Sequence, residues 1–104
     1  MSIIEGTSEN FQKEVLDSSI PVLVDFNATW CPPCRALHPT LEAMAKDSSD
    51  YKIVTVDIDT ERTLAASYEV SSIPCLVVFR DGKETDRRIG LQPRKRLEKM
   101  LGVK

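Results

Sequence analysis

Apolar residues along this chain change spacing several times, and each change marks the edge of an element. Val22-Leu23-Val24-Asp25-Phe26 is an apolar, β-branched run opened by Pro21. It is too continuous for a strand with one wet face, so it predicts a central strand buried on both faces. Asp25 is the one charge inside it. Ile53, Val54, Val56 and Ile58 predict a second strand and Leu76-Val77-Val78-Phe79 a third. Asp81-Gly82 has hairpin-turn chemistry, which makes a strand over Glu84 to Ile89 antiparallel to the third. Ile3-Ile4 fits a short edge strand. Helical spacing fills the gaps. Phe11, Val15 and Leu16 follow a Thr7 or Ser8 cap; Leu37, Leu41 and Met44 lie in a helix running from Cys34 to about Lys46-Asp47, kinked at Pro39. Leu64, Ala65 and Tyr68 sit behind an Asp59-Thr60 cap, and Pro93 opens a closing helix with Leu97 and Leu101 inward. Long crossovers followed by a tight hairpin predict an α/β fold, a mixed central β-sheet flanked by helices on both faces.

At 104 residues the chain is expected to form one domain over its whole length, with a core that needs no disulfide staple or structural metal. Charged residues make up 29% and balance to −2, which argues against a nucleic-acid footprint or a polybasic membrane patch. No stretch approaches the roughly 20 apolar residues of a membrane span, and the N-terminus lacks a basic segment followed by a long apolar run. A cytoplasmic location is therefore expected. Three cysteines, two of them close in sequence, suit a reducing compartment better than a secreted disulfide framework.

The chemistry centres on Trp30-Cys31-Pro32-Pro33-Cys34. A Cys-x-x-Cys turn feeding a helix puts both sulfurs on one side of the first turn, where they can join as a disulfide or separate as two thiols. The helix start presents unpaired N–H groups and the positive end of the helix dipole, which favour thiolate on Cys31, the predicted nucleophile. Pro32 and Pro33 suit a first turn because the N–H groups they lack would be orphans there. Neither can donate to the Cys31 sulfur, which leaves the Cys34 N–H. The same spacing also ligates zinc, but a four-ligand site would have to draw in His38 and Cys75. Covalent haem attachment is excluded because Arg35 follows Cys34. No cofactor is expected.

In order along the chain, Val24-Asp25-Phe26, the Trp30-Cys31-x-Pro33-Cys34 turn, Pro39 in the following helix, Ile73-Pro74 before a strand, and Gly82 and Gly90 around the last strand resemble the thioredoxin family over essentially the whole chain. The resemblance implies a thioredoxin-like fold and a monomeric enzyme that reduces disulfide-containing proteins and is recycled by a thioredoxin reductase. An oxidase or isomerase of the same fold differs only in redox potential. The resemblance further implies a cis Ile73-Pro74 bond against the active-site turn, and a shallow apolar groove for substrate made by Trp30, Pro32, Pro33, Ile73, Pro74 and Gly90. Pro32 in place of a glycine, Cys75 of a threonine, Asn27 of an aromatic and Thr55 of a lysine depart from the common pattern, all close to the chemistry.

Asp25, a carboxyl in an apolar strand, is expected to be hard to ionise and to accept the Cys34 proton as that thiol attacks. His38 follows Cys34 by four residues, on the same helical face, where it can serve Asp25. Asp57, Asp59 and Glu61 read as a strand end and helix cap, since no calcium-loop glycine accompanies them. Arg87, Arg88, Arg94, Lys95 and Arg96 read as a solvated face. Cys75 is expected beside the active-site turn, at the groove wall, as a third thiol dispensable for reduction yet more easily alkylated than a core cysteine.

Overall fold

The computed structural model describes residues 1–103. Strands β1 (Ile4–Glu5), β2 (Val22–Asn27), β3 (Lys52–Asp57), β4 (Cys75–Arg80) and β5 (Lys83–Ile89) form one sheet in the order β1-β3-β2-β4-β5. β2 lies parallel to β3 and antiparallel to β4, while β4 and β5 form the hairpin. Asp81 and Gly82 at its turn both have positive φ, +52° and +78°, the backbone a tight two-residue hairpin requires. Helices α1 (Pro32–Asp47), α2 (Arg62–Ser67) and α3 (Arg94–Met100) cover the two faces.

The faces are separated by alternation along the strands. Leu23, Ile53, Leu76 and Val78 point one way and pack against Leu37, Leu41, Met44 and Ala45 of α1 and Leu97 and Met100 of α3. Val22, Val24, Phe26, Val54, Val56, Val77 and Phe79 point the other way, against Phe11, Val15 and Ala65. Every residue of β2 from Val22 to Phe26 is buried, the two-sided burial its composition requires. Asp25 follows Leu23 at period two and so belongs to the α1 face. This places the only buried charged side chain among the described residues under the N-terminal half of α1.

Two local expectations are corrected. The first helical stretch is a short π-type turn, Gln12–Leu16, in which the Asp17 N–H reaches back to the Gln12 carbonyl at 2.8 Å. The wide turn seats Phe11 in an aromatic cluster, 5.3 Å from Tyr68 and 5.8 Å from Phe79 between ring centres, and Thr7 closes the preceding turn by accepting from the Asn10 N–H. At α2 the cap is not made by the Asp59 or Thr60 side chain. Glu61 occupies the N-cap without a side-chain cap bond, and the Asp57 carboxylate accepts from the Asp59 and Thr60 N–H groups instead. The preceding strand carries its acid to the turn, so the turn is closed one step earlier than the spacing implied.

Candidate active site

Cys31 is the N-cap of α1, with extended backbone, and Pro32 and Pro33 fill the first two helical positions. The prolines leave the Cys34 N–H as the first donor pointing out of the helix, and it donates to Cys31 Sγ at 3.3 Å. The two cysteines form a disulfide with Cα atoms 5.2 Å apart. Both are buried, in a small cluster with Ala28, Ile58 and Ile73. α1 continues through Pro39, whose missing N–H leaves the Arg35 carbonyl without its helical donor.

Behind the disulfide lies Asp25, 2% exposed. The Asn27 amide NH2 donates to Asp25 Oδ2 at 3.3 Å and to the Asp25 carbonyl at 3.0 Å, while Oδ1 has no partner. Burial pushes the Asp25 carboxyl from its ordinary 3.8 up to about 7, against a smaller opposing effect of the Asn27 hydrogen bond. A cavity of about 160 Å³ has both Asp25 and Cys34 in its wall, with Asn27, Arg35, His38 and Thr55. The carboxyl and the second thiol thus share one space.

On the other side of the turn the Ile73–Pro74 peptide bond is cis, and Pro74 is buried. The Pro74 carbonyl accepts from the Gly90 N–H at 2.8 Å, and Gly90 has φ +94°, so the end of β5 is tied to the proline loop by a residue free to adopt that backbone. Trp30 is 62% exposed and its indole N–H donates to Asp59 Oδ2 at 2.8 Å.

The thioredoxin family model matches residues 2–102. The chain belongs to the thioredoxin family. It is 41% identical to thioredoxin of Porphyra purpurea over 97% of this chain and 95% of that one. It is 42% identical to thioredoxin of Staphylococcus aureus over 97% and 96% of the two chains. Among solved structures, a mutant thioredoxin from Halobacterium salinarum NRC-1 superposes with a TM-score of 0.88 at 31% identity, over 96% of this chain and 88% of that one. The protein is accordingly a thiol-disulfide oxidoreductase whose redox pair is Cys31 and Cys34.

Within this thioredoxin-family site the remaining candidates separate. Cys75 is not on the groove wall. Its side chain is buried on the opposite face of the sheet, with Phe26 and Val77, under the Arg87 guanidinium at 3.8 Å. It alternates with Leu76, which faces α1, so following a proline at the active site does not make its sulfur a neighbour of Cys34. Burial pushes the Cys75 thiol up, with Arg87 opposing, which removes the expectation of easy alkylation. The same displacement dismantles a zinc site built from Cys31, Cys34, His38 and Cys75. His38 is half exposed, 3.4 Å from Glu42, and shares the cavity wall with Asp25 without bonding to it. The basic segment is mostly paired: Arg87 with Glu84, Arg88 with Asp86, and Arg94 with Asp47 and Glu98.

Asp59 and Asn27 are the site residues that the sequence pattern does not disclose. By spacing Asp59 belongs to a helix cap, whereas its carboxylate holds the exposed tryptophan. Asn27 stands out only as a departure from an aromatic, and that departure is the available signal for a polar side chain beside Asp25.

Proposed function

We propose that the protein is a small single-domain disulfide reductase in which Cys31 attacks, Cys34 resolves and Asp25 is the base. The observation that carries this reading is the common wall of Asp25 and Cys34 in one cavity, where Cys34 is the residue whose N–H donates to the sulfur that caps α1. In the reduced enzyme the helix N-terminus and the Cys34 N–H favour negative charge on Cys31 Sγ. That thiolate attacks one sulfur of a substrate disulfide, forming a mixed disulfide and expelling the other substrate sulfur as a thiolate, which takes a proton from solvent. Cys34 then gives its thiol proton to Asp25 while its sulfur attacks Cys31 Sγ, which releases the second substrate thiolate and closes the Cys31–Cys34 disulfide. Two electrons pass to the substrate, and an external reductase returns them. A carboxyl titrating near neutrality is matched to this transfer.

Trp30, Pro32, Pro33, Ile73, Pro74 and Gly90 form the substrate surface in this reading, supported by the exposed indole and the tied Pro74–Gly90 loop. His38 modulates Asp25 from the shared cavity. The substrates are disulfide-containing proteins, the electron donor is a thioredoxin reductase, and the enzyme acts as a monomer in the cytoplasm. No helix among the described residues is long and apolar enough to cross a membrane. Insulin-disulfide reduction tests the division of labour. Cys31→Ser abolishes turnover, and Cys34→Ser accumulates substrate adducts on Cys31; adducts forming on Cys34 in preference would reverse the assignment.

A further inference from the structure

Asn27 is the last residue of β2, two positions beyond Asp25 and so on the same face of the strand. Its backbone is anchored by β3 and the loop that follows: it stands opposite Asp57, and its carbonyl accepts from the Ile58 N–H at 2.9 Å. From there the side-chain NH2 makes two bonds to one residue, 3.0 Å to the Asp25 main-chain carbonyl and 3.3 Å to Asp25 Oδ2. The first bond settles which way the amide points, because a carbonyl only accepts. The two carboxyl oxygens are therefore not equivalent. Oδ2 faces a donor, whereas Oδ1 is buried without a partner. A proton on Oδ2 would set a second donor against the Asn27 N–H, while a proton on Oδ1 leaves Oδ2 free to go on accepting. No charged side chain bonds the carboxyl. Opposite Asp25 stand Thr55 on β3 and Leu76 on β4, and the Cys75 thiol lies on the far face of the sheet. Cys34, Arg35 and His38 border the cavity from α1, and neither the guanidinium nor the imidazole makes a hydrogen bond to Asp25.

We propose that Asn27 is a positioning residue for the proton transfer, clamping Asp25 Oδ2 in both protonation states and so making Oδ1 the oxygen that takes the Cys34 proton. In that step the Cys34 S–H bond breaks, its electron pair stays on sulfur for the attack on Cys31 Sγ, and the proton forms an O–H bond at Oδ1. Because Oδ2 accepts from Asn27 before and after, neither side chain has to turn between the two halves of the cycle. The bond is nevertheless stronger to the carboxylate than to the acid. It therefore opposes the effect of burial and holds the Asp25 midpoint near neutrality instead of above it. The clamp stands on its own geometry, and only its kinetic consequence rests on Asp25 being the base.

NMR of the oxidised protein tests the clamp in two ways. In the wild type the Asn27 side-chain NH2 protons should exchange more slowly than those of a free asparagine both below and above the Asp25 midpoint, while their chemical shifts follow it. Protection lost on the acid side would put the proton on Oδ2 and overturn the proposal. Asn27→Ala and Asn27→Leu, the second of which fills the volume of the amide and excludes water, should each raise the Asp25 midpoint by about one unit. A midpoint unmoved in both also overturns it. Stopped-flow release of a peptide thiol from its Cys31 mixed disulfide, after a jump from pH 4, reads the transfer itself. The rate should rise as Asp25 ionises, so a midpoint one unit higher lowers it about fivefold at pH 7 and shifts the whole profile up by that unit. A midpoint that moves without the rate profile supports the clamp and sinks Asp25 as the base, whereas a profile that moves while the midpoint stays still sinks the clamp alone.

Discussion

Trp30 and Asp59, 29 positions apart, are joined by an indole N–H to carboxylate hydrogen bond of 2.8 Å at the rim of the active site. The bond orients an exposed aromatic beside the reactive disulfide and links the catalytic turn to the loop after β3. Asp59→Ala is expected to leave chemistry at Cys31 intact but loosen substrate docking. The kcat/KM for insulin should fall about threefold to tenfold, on the order of 1 kcal/mol for one exposed charge-assisted bond. Reduction of a small aromatic disulfide should change less, and tryptophan fluorescence should report a wetter indole. Equal losses on both substrates would place Asp59 in the chemistry.

Asp25→Asn should slow resolution of the mixed disulfide and raise stability at neutral pH. The folded carboxyl titrates near 7 against an ordinary 3.8, so the unfolded chain releases this proton first. The native protein therefore loses stability as pH rises from about 4 to about 7 and levels off above, by roughly 4 kcal/mol as an upper figure for three units. Asp25→Asn lacks this slope. Urea unfolding across pH 4 to 9 checks it, and parallel curves for the two proteins would refute the buried acid.

Cys75 should resist alkylation in the folded reduced protein, since its thiol is buried and pushed up by desolvation. Mass spectrometry after neutral iodoacetamide treatment should find label on Cys31 and none on Cys75 until denaturant is added. Cys75→Thr should retain full insulin reduction. Rapid labelling of Cys75 without denaturant would contradict the burial.

Gly90→Ala should destabilise the fold by about 1–2 kcal/mol through backbone strain alone. The position has φ +94° and nothing within 4 Å of an added methyl, so crowding plays no part. The Gly90 N–H to Pro74 carbonyl bond shares the strain, and substrate affinity should weaken more than the reaction of Cys31 with a small thiol reagent. Unchanged unfolding midpoints would show that the loop absorbs the strain elsewhere.

The element order, the two-sided burial of β2, the hairpin at Asp81-Gly82 and the redox pair were legible in the chain. Each depends on residues near one another: period-two and period-3.6 spacing, turn chemistry, and two cysteines separated by two prolines at a helix start. The anomaly of Asp25 was equally local, because a carboxyl amid valines is hard to ionise wherever the strand lies. What surrounds it was not. That Asp25 shares a cavity with Cys34, that Asp59 holds Trp30 and not a helix end, and that Cys75 turns its sulfur away from the site all depend on side-chain partners far apart in sequence. Sequence spacing assigns a residue to a strand and a face relative to its neighbours. Which helix covers that face, and so which side chains meet there, is set only when the sheet closes in the order β1-β3-β2-β4-β5 and α1 packs across Leu23, Ile53 and Leu76.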